Sequence, residues 1–237
     1  MKTTAIVLAG GSGKRMNSAV KKQFLTICDK PLLYYSLKAF EESFIDSIIL
    51  VASEEDKNYC QEEIIDKYHF QKVEKIVSGG KERYHSVANG VMAAGETDYI
   101  FIHDGARPFV TQDMLKRLLH EVQKSSACVA GMPVKDTIKI ADTDGYIETT
   151  PRRDLVWMIQ TPQVFSYELI SKAYAILIKE EEALLKKGIS ITDDAMVVET
   201  LLGERVKLVE GSYKNIKITT PEDIGIAEGF LRDEKRG

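Results

Sequence analysis

Residues 4–16 read Thr4-Ala-Ile-Val-Leu-Ala-Gly-Gly-Ser-Gly-Lys-Arg-Met16. Their first part, Thr4 to Ala9, is a near-continuous apolar run, which is typical of a strand covered by helices on both faces. The three glycines that follow at positions 10, 11 and 13 free the backbone, so that successive N–H groups can point toward one anion. The stretch therefore predicts a buried strand that runs into an anion-binding loop.

The same alternation continues through the first half of the chain. Further apolar, β-rich runs lie at Ser47 to Ala52, Val73 to Val77, Tyr99 to His103 and Ala127 to Gly131. Amphipathic segments separate them, at Pro31 to Glu42, Glu54 to Tyr68, Lys81 to Ala94 and Thr111 to Lys124. This order predicts an α/β fold with a doubly wound, mostly parallel sheet, in which ligands bind beyond the carboxyl ends of the strands.

The pattern changes after Gly131. Two β-rich runs, Val134 to Ala141 and Tyr146 to Thr150, flank an Asp144-Gly145 turn, which is a strong hairpin signal. We therefore predict a protruding β-arm over residues 134–158, within a single domain that spans residues 1–237. Helices are expected beyond it at Ser166 to Lys187, Asp193 to Leu202 and Pro221 to about Asp233, with a strand at Val206 to Glu210.

The glycine-rich loop leads into a cluster of cations, Lys14, Arg15, Lys21 and Lys22. In a chain of net charge −4, this local density favours a polyphosphate site over a solvated turn. Two commoner phosphate loops are excluded by spacing. A Walker P-loop needs glycine where Leu8 stands, and a dinucleotide fingerprint needs a third glycine where Met16 stands. The sequence therefore disfavours an NAD-linked oxidoreductase.

Composition excludes several other classes of protein. A net charge of −4 argues against a general nucleic-acid or membrane-surface binder, which needs an excess of Lys and Arg. Cys28, Cys60 and Cys128 are scattered and lack metal-ligand spacing, so we expect inert thiols in a reducing compartment. The apolar run before Gly10 is too short for a secretory signal, and no run reaches the ~20 residues of a membrane span. We expect a cytoplasmic protein.

The motifs along the chain resemble one family. The pattern Leu8-Ala-Gly-Gly-x-Gly-x-Arg-Met16 with Lys22-Gln23 is similar to the sugar-nucleotide pyrophosphorylase superfamily of nucleotidyltransferases. Later motifs resemble the 2-C-methyl-D-erythritol 4-phosphate cytidylyltransferase family of the non-mevalonate isoprenoid pathway. They are Gly79-Gly-Lys-Glu-Arg-Tyr-His-Ser86, His103-Asp-Gly-Ala-Arg107, Pro133-Val-Lys-Asp-Thr137, Gln160-Thr-Pro-Gln163, Thr192-Asp-Asp-Ala195 and Asn215-Ile-Lys217. The resemblance covers residues 4–231.

The chain departs from the family pattern at three positions. Lys21 stands where proline is usual, Gly105 where alanine is usual, and Lys81 where aspartate is frequent. A ribitol-5-phosphate cytidylyltransferase remains the alternative with the same chemistry, although Arg153-Asp-Leu-Val-Trp157 looks more like the methylerythritol branch. A non-catalytic nucleotide-binding relative would be expected to have lost some of the family's cations, and none is lost.

The resemblance implies a Rossmann-like nucleotidyltransferase fold and transfer of a cytidylyl group from CTP to a small polyol phosphate. It assigns catalysis to Arg15, Lys22 and Lys217. It assigns CTP binding to Ala9, Gly10, Gly11, Gly13, Gly79, Gly80, Lys81, Ser86, Asp104 and Gly105, with Asp104 also holding Mg²⁺ or another divalent cation. It assigns the polyol phosphate to Arg107, Thr137, Arg153 and Thr192. It further implies a homodimer formed through the arm.

Taken alone, several of these residues have plainer interpretations. Lys217 lies in a β-branched stretch, where a lysine is as often simply the solvent-facing residue. Asp104, just past a strand end, suits a Mg²⁺ ligand or a turn cap. Ser86 could contact the base or hold its own loop. Asp193 and Asp194 equally suit the first turn of a helix, where a negative charge is favoured.

Overall fold

The computed structural model describes residues 1–11 and 21–234, and within these it has a seven-stranded sheet. In chain order the sheet strands are β1 (Thr3–Leu8), β4 (Ser47–Ala52), β5 (Val73–Ser78), β6 (Tyr99–Asp104), β7 (Ala127–Pro133), β10 (Trp157–Ser166) and β11 (Lys207–Glu210). Their spatial order is β11-β7-β10-β6-β1-β4-β5. Only β10 runs antiparallel to its neighbours, as its pairings with β6 and β7 show. The predicted mostly parallel α/β sheet is confirmed.

Helices cover both faces of the sheet. They are α1 (Leu32–Glu41), α2 (Lys57–Tyr59, continuing as a π-helical segment Cys60–Asp66), α3 (Arg83–Ala93), α4 (Gln112–Ser125), α5 (Tyr167–Lys186), α6 (Asp194–Leu202) and α7 (Pro221–Glu234). In β1, Ala5 and Val7 face the layer of α1 and α4, while Ile6 and Leu8 face α3, α5 and α6. This two-sided burial explains why the strand is apolar at almost every position.

The strand β10 was not predicted. It contains Pro162, which normally argues against a central strand because proline cannot donate to the ladder. Here the pairing with β7 shifts register between Ile159 and Gln163, so that Pro162 lies within the irregularity rather than in the regular ladder. The pairing with β6 starts only at Gln163. The short ribbon β2 (Thr26–Ile27) and β3 (Lys30–Pro31) was also not predicted.

The arm carries a hairpin that is shorter than expected. Its paired strands are β8 (Ile140–Ala141) and β9 (Ile147–Thr149), joined through a turn in which Gly145 has a φ of 87°. The preceding residues, Lys135 to Lys139, are exposed and unpaired in the ladder. Large apolar side chains on the arm are exposed, with Tyr146 72%, Ile147 63% and Leu155 69% accessible.

None of the helices within residues 1–11 and 21–234 is long and apolar enough to cross a bilayer. Cys60 and Cys128 are buried and Cys28 is partly buried, and all three are free thiols. The described residues contain no cluster of His, Cys, Asp and Glu suited to a metal ion.

Candidate active site

The carboxyl ends of β5, β4, β1 and β6 lie side by side at one edge of the sheet. The strand order reverses between β1 and β6, because β4 and β5 follow on one side and β6 on the other. Such a switch point opens a crevice where ligands bind in open α/β sheets. A cleft is found there, lined by Gly10 and Gly11 after β1, by Gly80, Lys81 and Ser86 after β5, by Asp104 at the end of β6, and by Lys22, Gln23, Arg83 and Lys217.

Asp104 is the electrostatic centre of this cleft. Its Oδ2 lies 2.7 Å from the Lys217 Nζ and 3.9 Å from the Arg107 Nε, and its Oδ1 lies 3.5 Å from the Arg83 Nε. Burial by itself would raise the pKa of this carboxyl, but the charges of Arg83, Lys217 and Arg107 outweigh burial and hold the pKa well below its usual range. Asp104 is therefore ionised at any physiological pH.

Lys217 reaches Asp104 because its neighbours fix the chain. Ile218 is fully buried, and its N–H donates to the Ala106 carbonyl at 2.9 Å. The Asn215 side chain, also fully buried, donates to the Thr161 carbonyl at 2.9 Å. The segment therefore lies beside the end of β6, and Lys217 points to the cleft instead of to open solvent as the plainer interpretation allowed.

A buried chain of hydrogen bonds fixes the backbone at Asp104. The Asp104 N–H donates to Thr161 Oγ1 at 3.1 Å, Thr161 Oγ1 lies 3.0 Å from His103 Nδ1, and His103 Nε2 lies 3.0 Å from the Arg107 carbonyl. A neutral imidazole that carries its proton on Nε2 satisfies the chain of donors and acceptors. Burial lowers the pKa of His103 to about 4, in agreement with that neutral form. His103 thus supports the strand end.

The loop between β5 and α3 is tightly folded. A Cβ on Gly80 would overlap the His85 side chain and come within 3.3 Å of its Cα, so only glycine fits there. Ser86 Oγ accepts the Gly80 N–H at 3.0 Å and donates to the Glu82 carbonyl at 3.3 Å. Of the two roles open to Ser86, holding its own loop is therefore the one supported by contacts within this chain. Gly79 continues the ladder by donating to the Ala52 carbonyl at 2.7 Å.

The loop after β1 is described only in part. Ala9 is buried and donates to the Val51 carbonyl at 2.7 Å, whereas Gly11 adopts a φ of 126°, a conformation that favours glycine. On the other side of the cleft, Gly105 packs closely on β1, since its N–H donates to the Leu8 carbonyl at 2.9 Å. Gly13, Lys14 and Arg15 lie outside the described residues.

Two neighbouring lysines of the predicted cation cluster have different roles. Lys22 lies in the wall of the cleft, at the start of a 3-10 turn, Lys22–Phe24. Lys21 instead forms ion pairs with Glu55 and with Asp56, whose Oδ2 lies 2.7 Å from its Nζ. Lys21 is not among the residues that line the cleft, and two carboxylates neutralise its charge in this structure, so its place in a polyphosphate cradle stays a prediction.

Arg83 and Asp194 are site residues that the sequence did not reveal. The guanidinium NH1 and NH2 of Arg83 donate to the two oxygens of Asp194, both at 2.7 Å. Asp194 is fully buried and also accepts from the Tyr174 hydroxyl at 2.6 Å. Asp193, by contrast, caps α6 by accepting the Met196 N–H at 2.9 Å. In a sequence, a charged residue in a first helical turn indicates a solvated surface, and nothing in the pattern distinguished Asp194 from Asp193.

The predicted acceptor residues are dispersed within the chain. Arg107 is near the cleft, but its NH1 donates to the Asn215 carbonyl at 2.8 Å and its side chain is only 13% exposed. Thr137 and Arg153 are exposed on the arm, where Arg153 NH1 donates to the Lys135 carbonyl at 3.2 Å. Thr192 is exposed just before α6, and the Asp104 cleft includes none of Thr137, Arg153 and Thr192 in its lining.

The comparisons with known proteins decide the family. The family model described as IspD, 2-C-methyl-D-erythritol 4-phosphate cytidylyltransferase, matches residues 3–233. The chain belongs to the IspD family. Relatives of that name include the protein of Lachnospira eligens, 51% identical with 97% of this chain and 99% of the relative covered, and that of Lachnoclostridium phytofermentans, 48% identical with 99% and 98% covered.

Solved structures of the IspD family have the same fold. A 4-diphosphocytidyl-2C-methyl-D-erythritol synthase from Anaerococcus prevotii superposes with a TM-score of 0.81 at 34% identity, covering 98% of this chain and 96% of that one. The 2-C-methyl-D-erythritol 4-phosphate cytidylyltransferase of Thermus thermophilus gives 0.76 at 29% identity, with 98% and 100% covered. The family predicted from the motifs is therefore confirmed, and with it a cytidylyltransferase of the methylerythritol branch instead of the ribitol one.

Proposed function

We propose that this chain transfers the cytidylyl group of CTP to 2-C-methyl-D-erythritol 4-phosphate in the Asp104 cleft, releasing pyrophosphate. The observation that carries the proposal is the grouping of cations from distant parts of the chain, Lys22, Arg83, Arg107 and Lys217, around the glycine-bearing ends of β1 and β5. Such a grouping suits a triphosphate, and it is local in a chain of net charge −4.

The reaction needs positioning and charge neutralisation more than proton transfer. A phosphate oxygen of the polyol phosphate attacks the α-phosphorus of CTP, and the bond from that phosphorus to the bridging oxygen of the β-phosphate breaks. The nucleophile is already an anion at neutral pH, so no general base is required. Lys22 and Lys217 line the cleft, and we expect them to neutralise charge on the transferring group. The family resemblance gives Arg15 the same role.

A divalent cation fits the chemistry of Asp104. Mg²⁺ is usually held by one or two carboxylates and by substrate phosphates, not by a cage of protein ligands. Asp104 offers one ionised carboxylate at the cleft, and the described part of the chain has no larger cluster that would favour a different metal. When bound, Mg²⁺ would neutralise phosphate charge. The Lys217 ammonium, which is on Asp104 Oδ2 in this structure, would then contact the α-phosphate.

A homodimer would complete the acceptor site. An isolated two-stranded hairpin is marginal in water, and the arm exposes Tyr146, Ile147 and Leu155. We propose that two arms pack against each other's subunits and bring Arg153 and Thr137 of one chain to the cleft of the other. Arginine suits the phosphate of the acceptor because its planar fork donates two parallel hydrogen bonds.

The activity is tested by a pyrophosphate-release assay that crosses CTP and UTP with 2-C-methyl-D-erythritol 4-phosphate and ribitol 5-phosphate. Activity with CTP and the methylerythritol acceptor, abolished by EDTA and restored by Mg²⁺, is the expected result. Turnover that prefers ribitol 5-phosphate, or that is indifferent to the metal, would contradict the corresponding part of the proposal.

The shared site is tested by mixing two variants that we expect to lose most of their activity, Lys22→Ala and Arg153→Ala. Random exchange makes half of the dimers hybrid, and each hybrid has one site with both defects and one with neither, so activity should return to about a quarter of the wild-type level. Native mass spectrometry verifies that hybrids form. If they form and activity does not return, Arg153 serves the site of its own chain.

A further inference from the structure

The side chain of Lys21 is held by a turn on a neighbouring strand. Its Nζ lies 2.7 Å from Asp56 Oδ2 and 3.2 Å from Ser53 Oγ, and it also contacts the Glu55 carboxylate. An ammonium has three N–H donors, and these three partners use all of them. Ser53 Oγ in turn donates to Asp56 at 2.6 Å. The turn follows directly after β4, so Lys21 is anchored to the sheet.

The backbone of Lys21 starts the turn that carries Lys22. The Lys21 carbonyl accepts the Phe24 N–H at 2.9 Å, which closes the 3-10 turn Lys22–Phe24. At the other end of the turn, the Phe24 ring packs on Tyr59 with 4.7 Å between ring centroids. Lys22 therefore lies between two anchors, and both reach the same stretch of chain, residues 53–59.

The ion pair between Lys21 and Asp56 is partly shielded from solvent, so it can hold the backbone at Lys21 in place. The side chain of Lys21 is 28% exposed and that of Asp56 only 13%. The hydrogen bonds that Lys21 donates to Asp56 and to Glu55 raise the pKa of its ammonium, so it stays charged. A fully exposed ion pair stabilises a protein very little, whereas a pair with three well-placed acceptors and partial burial is expected to contribute measurably.

We propose that Lys21 is a positioning residue, which holds Lys22 in the wall of the cleft through its ion pairs with Asp56 and Glu55. The proposal rests on the proposed function, in which Lys22 neutralises charge on the triphosphate. It does not make Lys21 a phosphate ligand. Because Lys21 acts through Lys22, its removal should matter only while Lys22 is present.

The test is a double-mutant cycle with Lys21→Met and Lys22→Ala, read as kcat/KM for CTP. Lys21→Met should lower kcat/KM about three- to fivefold, which corresponds to a loss of up to about 1 kcal/mol in transition-state stabilisation. In the Lys22→Ala background the same substitution should change kcat/KM by less than twofold, since the residue through which Lys21 acts is gone. Asp56→Asn should reproduce the effect of Lys21→Met.

Lys57→Met is the matched control. Lys57 is also 28% exposed and is paired 2.9 Å from Glu54, beside the same turn, but it does not adjoin Lys22. Its replacement should leave kcat/KM within twofold. Lys21→Pro is a rescue variant, because the Lys21 φ of −59° lies in the range that proline fixes. It should recover at least half of the activity lost in Lys21→Met.

Three results would contradict the positioning role of Lys21, and a fourth would contradict the role of Lys22. An unchanged kcat/KM in Lys21→Met, an equal loss in Lys57→Met, or a full additional loss in the Lys22→Ala background would overturn the positioning role of Lys21. If Lys22→Ala itself leaves kcat/KM unchanged, the proposed role of Lys22 is wrong, and the failure belongs to the proposed function. Thermal unfolding of each variant separates loss of folded protein from loss of positioning.

Discussion

Replacing Asp194 with asparagine should strongly destabilise the protein. The carboxylate is fully buried, receives both arms of the Arg83 guanidinium at 2.7 Å, and accepts the Tyr174 hydroxyl at 2.6 Å. Removing one partner of a buried ion pair costs about 3–5 kcal/mol, because the other charge is left uncompensated. Arg83 is 29% exposed, so water offsets part of the loss. We therefore expect a loss in unfolding free energy of about 3 kcal/mol.

Urea unfolding followed by far-UV circular dichroism measures this loss. For a chain of this size, 3 kcal/mol corresponds to a fall in Tm of roughly 6–12 °C, which provides an independent check. The matched control is Asp193→Asn, in the adjacent residue. Asp193 caps α6, and asparagine caps a helix about as well as aspartate, but the substitution removes the hydrogen bond that Gln163 Nε2 donates to Asp193 Oδ2 at 3.0 Å. It should therefore cost about 1 kcal/mol, well below the loss in Asp194→Asn.

The stabilities of Asp194→Asn and Asp193→Asn together test the role of the buried ion pair. If Asp194→Asn loses less than about 1 kcal/mol, the pair with Arg83 does not carry the energy that its geometry implies. If Asp193→Asn loses as much as Asp194→Asn, the effect reflects the start of α6 and not the buried ion pair.

Three further predictions concern a closely packed glycine, a buried histidine and the two threonines assigned to the acceptor. Gly90→Ala should destabilise the protein by about 1–3 kcal/mol, because the added Cβ would lie 2.6 Å from Ile6 Cγ2. Gly229→Ala is the control: this glycine also lies in a helix but has open space around it, so the substitution should stabilise the protein by up to about 1 kcal/mol. Urea unfolding measures both changes. The lowered pKa of His103, about 4 against an ordinary 6.5, means that the folded state binds fewer protons than the unfolded state between these values. The unfolding free energy that neutral His103 contributes is therefore fully present above pH 6.5, and it should fall by about 2 kcal/mol when the pH is lowered to 5. His103→Gln should remove this dependence of stability on pH, whereas His120→Gln, at an exposed histidine, should keep it. Thr137→Val and Thr192→Val should weaken acceptor binding by about 1 kcal/mol each and leave CTP affinity nearly unchanged in calorimetric titrations; equal loss of CTP binding would contradict their placement on the acceptor side.

Most of the sheet could be predicted from the sequence because its strands are buried on both faces. Ser47–Ala52 forms a strand with the predicted bounds, and the carboxyl ends of β1, β5 and β6 meet at one edge as the predicted order required. The amphipathic segment Thr111 to Lys124 likewise forms a helix, Gln112–Ser125, in which the Thr111 side chain accepts the Met114 N–H. These features depend on local pattern and on a general rule of parallel sheets.

The strand β10 could not be predicted in the same way. Its sequence contains Pro162, and a local rule excludes proline from central strands unless the ladder is interrupted there. Whether it is interrupted depends on the pairing of β10 with β7 and β6, which residues far away in the chain supply. The same limit applies to the site. A glycine-rich loop indicates an anion site from the sequence alone. The pairing of Lys21 with Asp56 and of Arg83 with Asp194 could not be predicted in this way, because the fold brings these residues together from distant segments.

The arrangement around Asp104 explains how a chain of net charge −4 can present a cationic cleft. One buried carboxylate holds three cations within 3.9 Å, and two of these are also fixed elsewhere, Arg83 by Asp194 and Arg107 by the Asn215 carbonyl. Lys217 is the most exposed of the three, at 36%, and its ammonium ends a flexible stem. A phosphate group that enters the cleft therefore meets the fixed guanidinium group of Arg83 and a lysine whose flexible stem allows it to exchange a carboxylate for a phosphate.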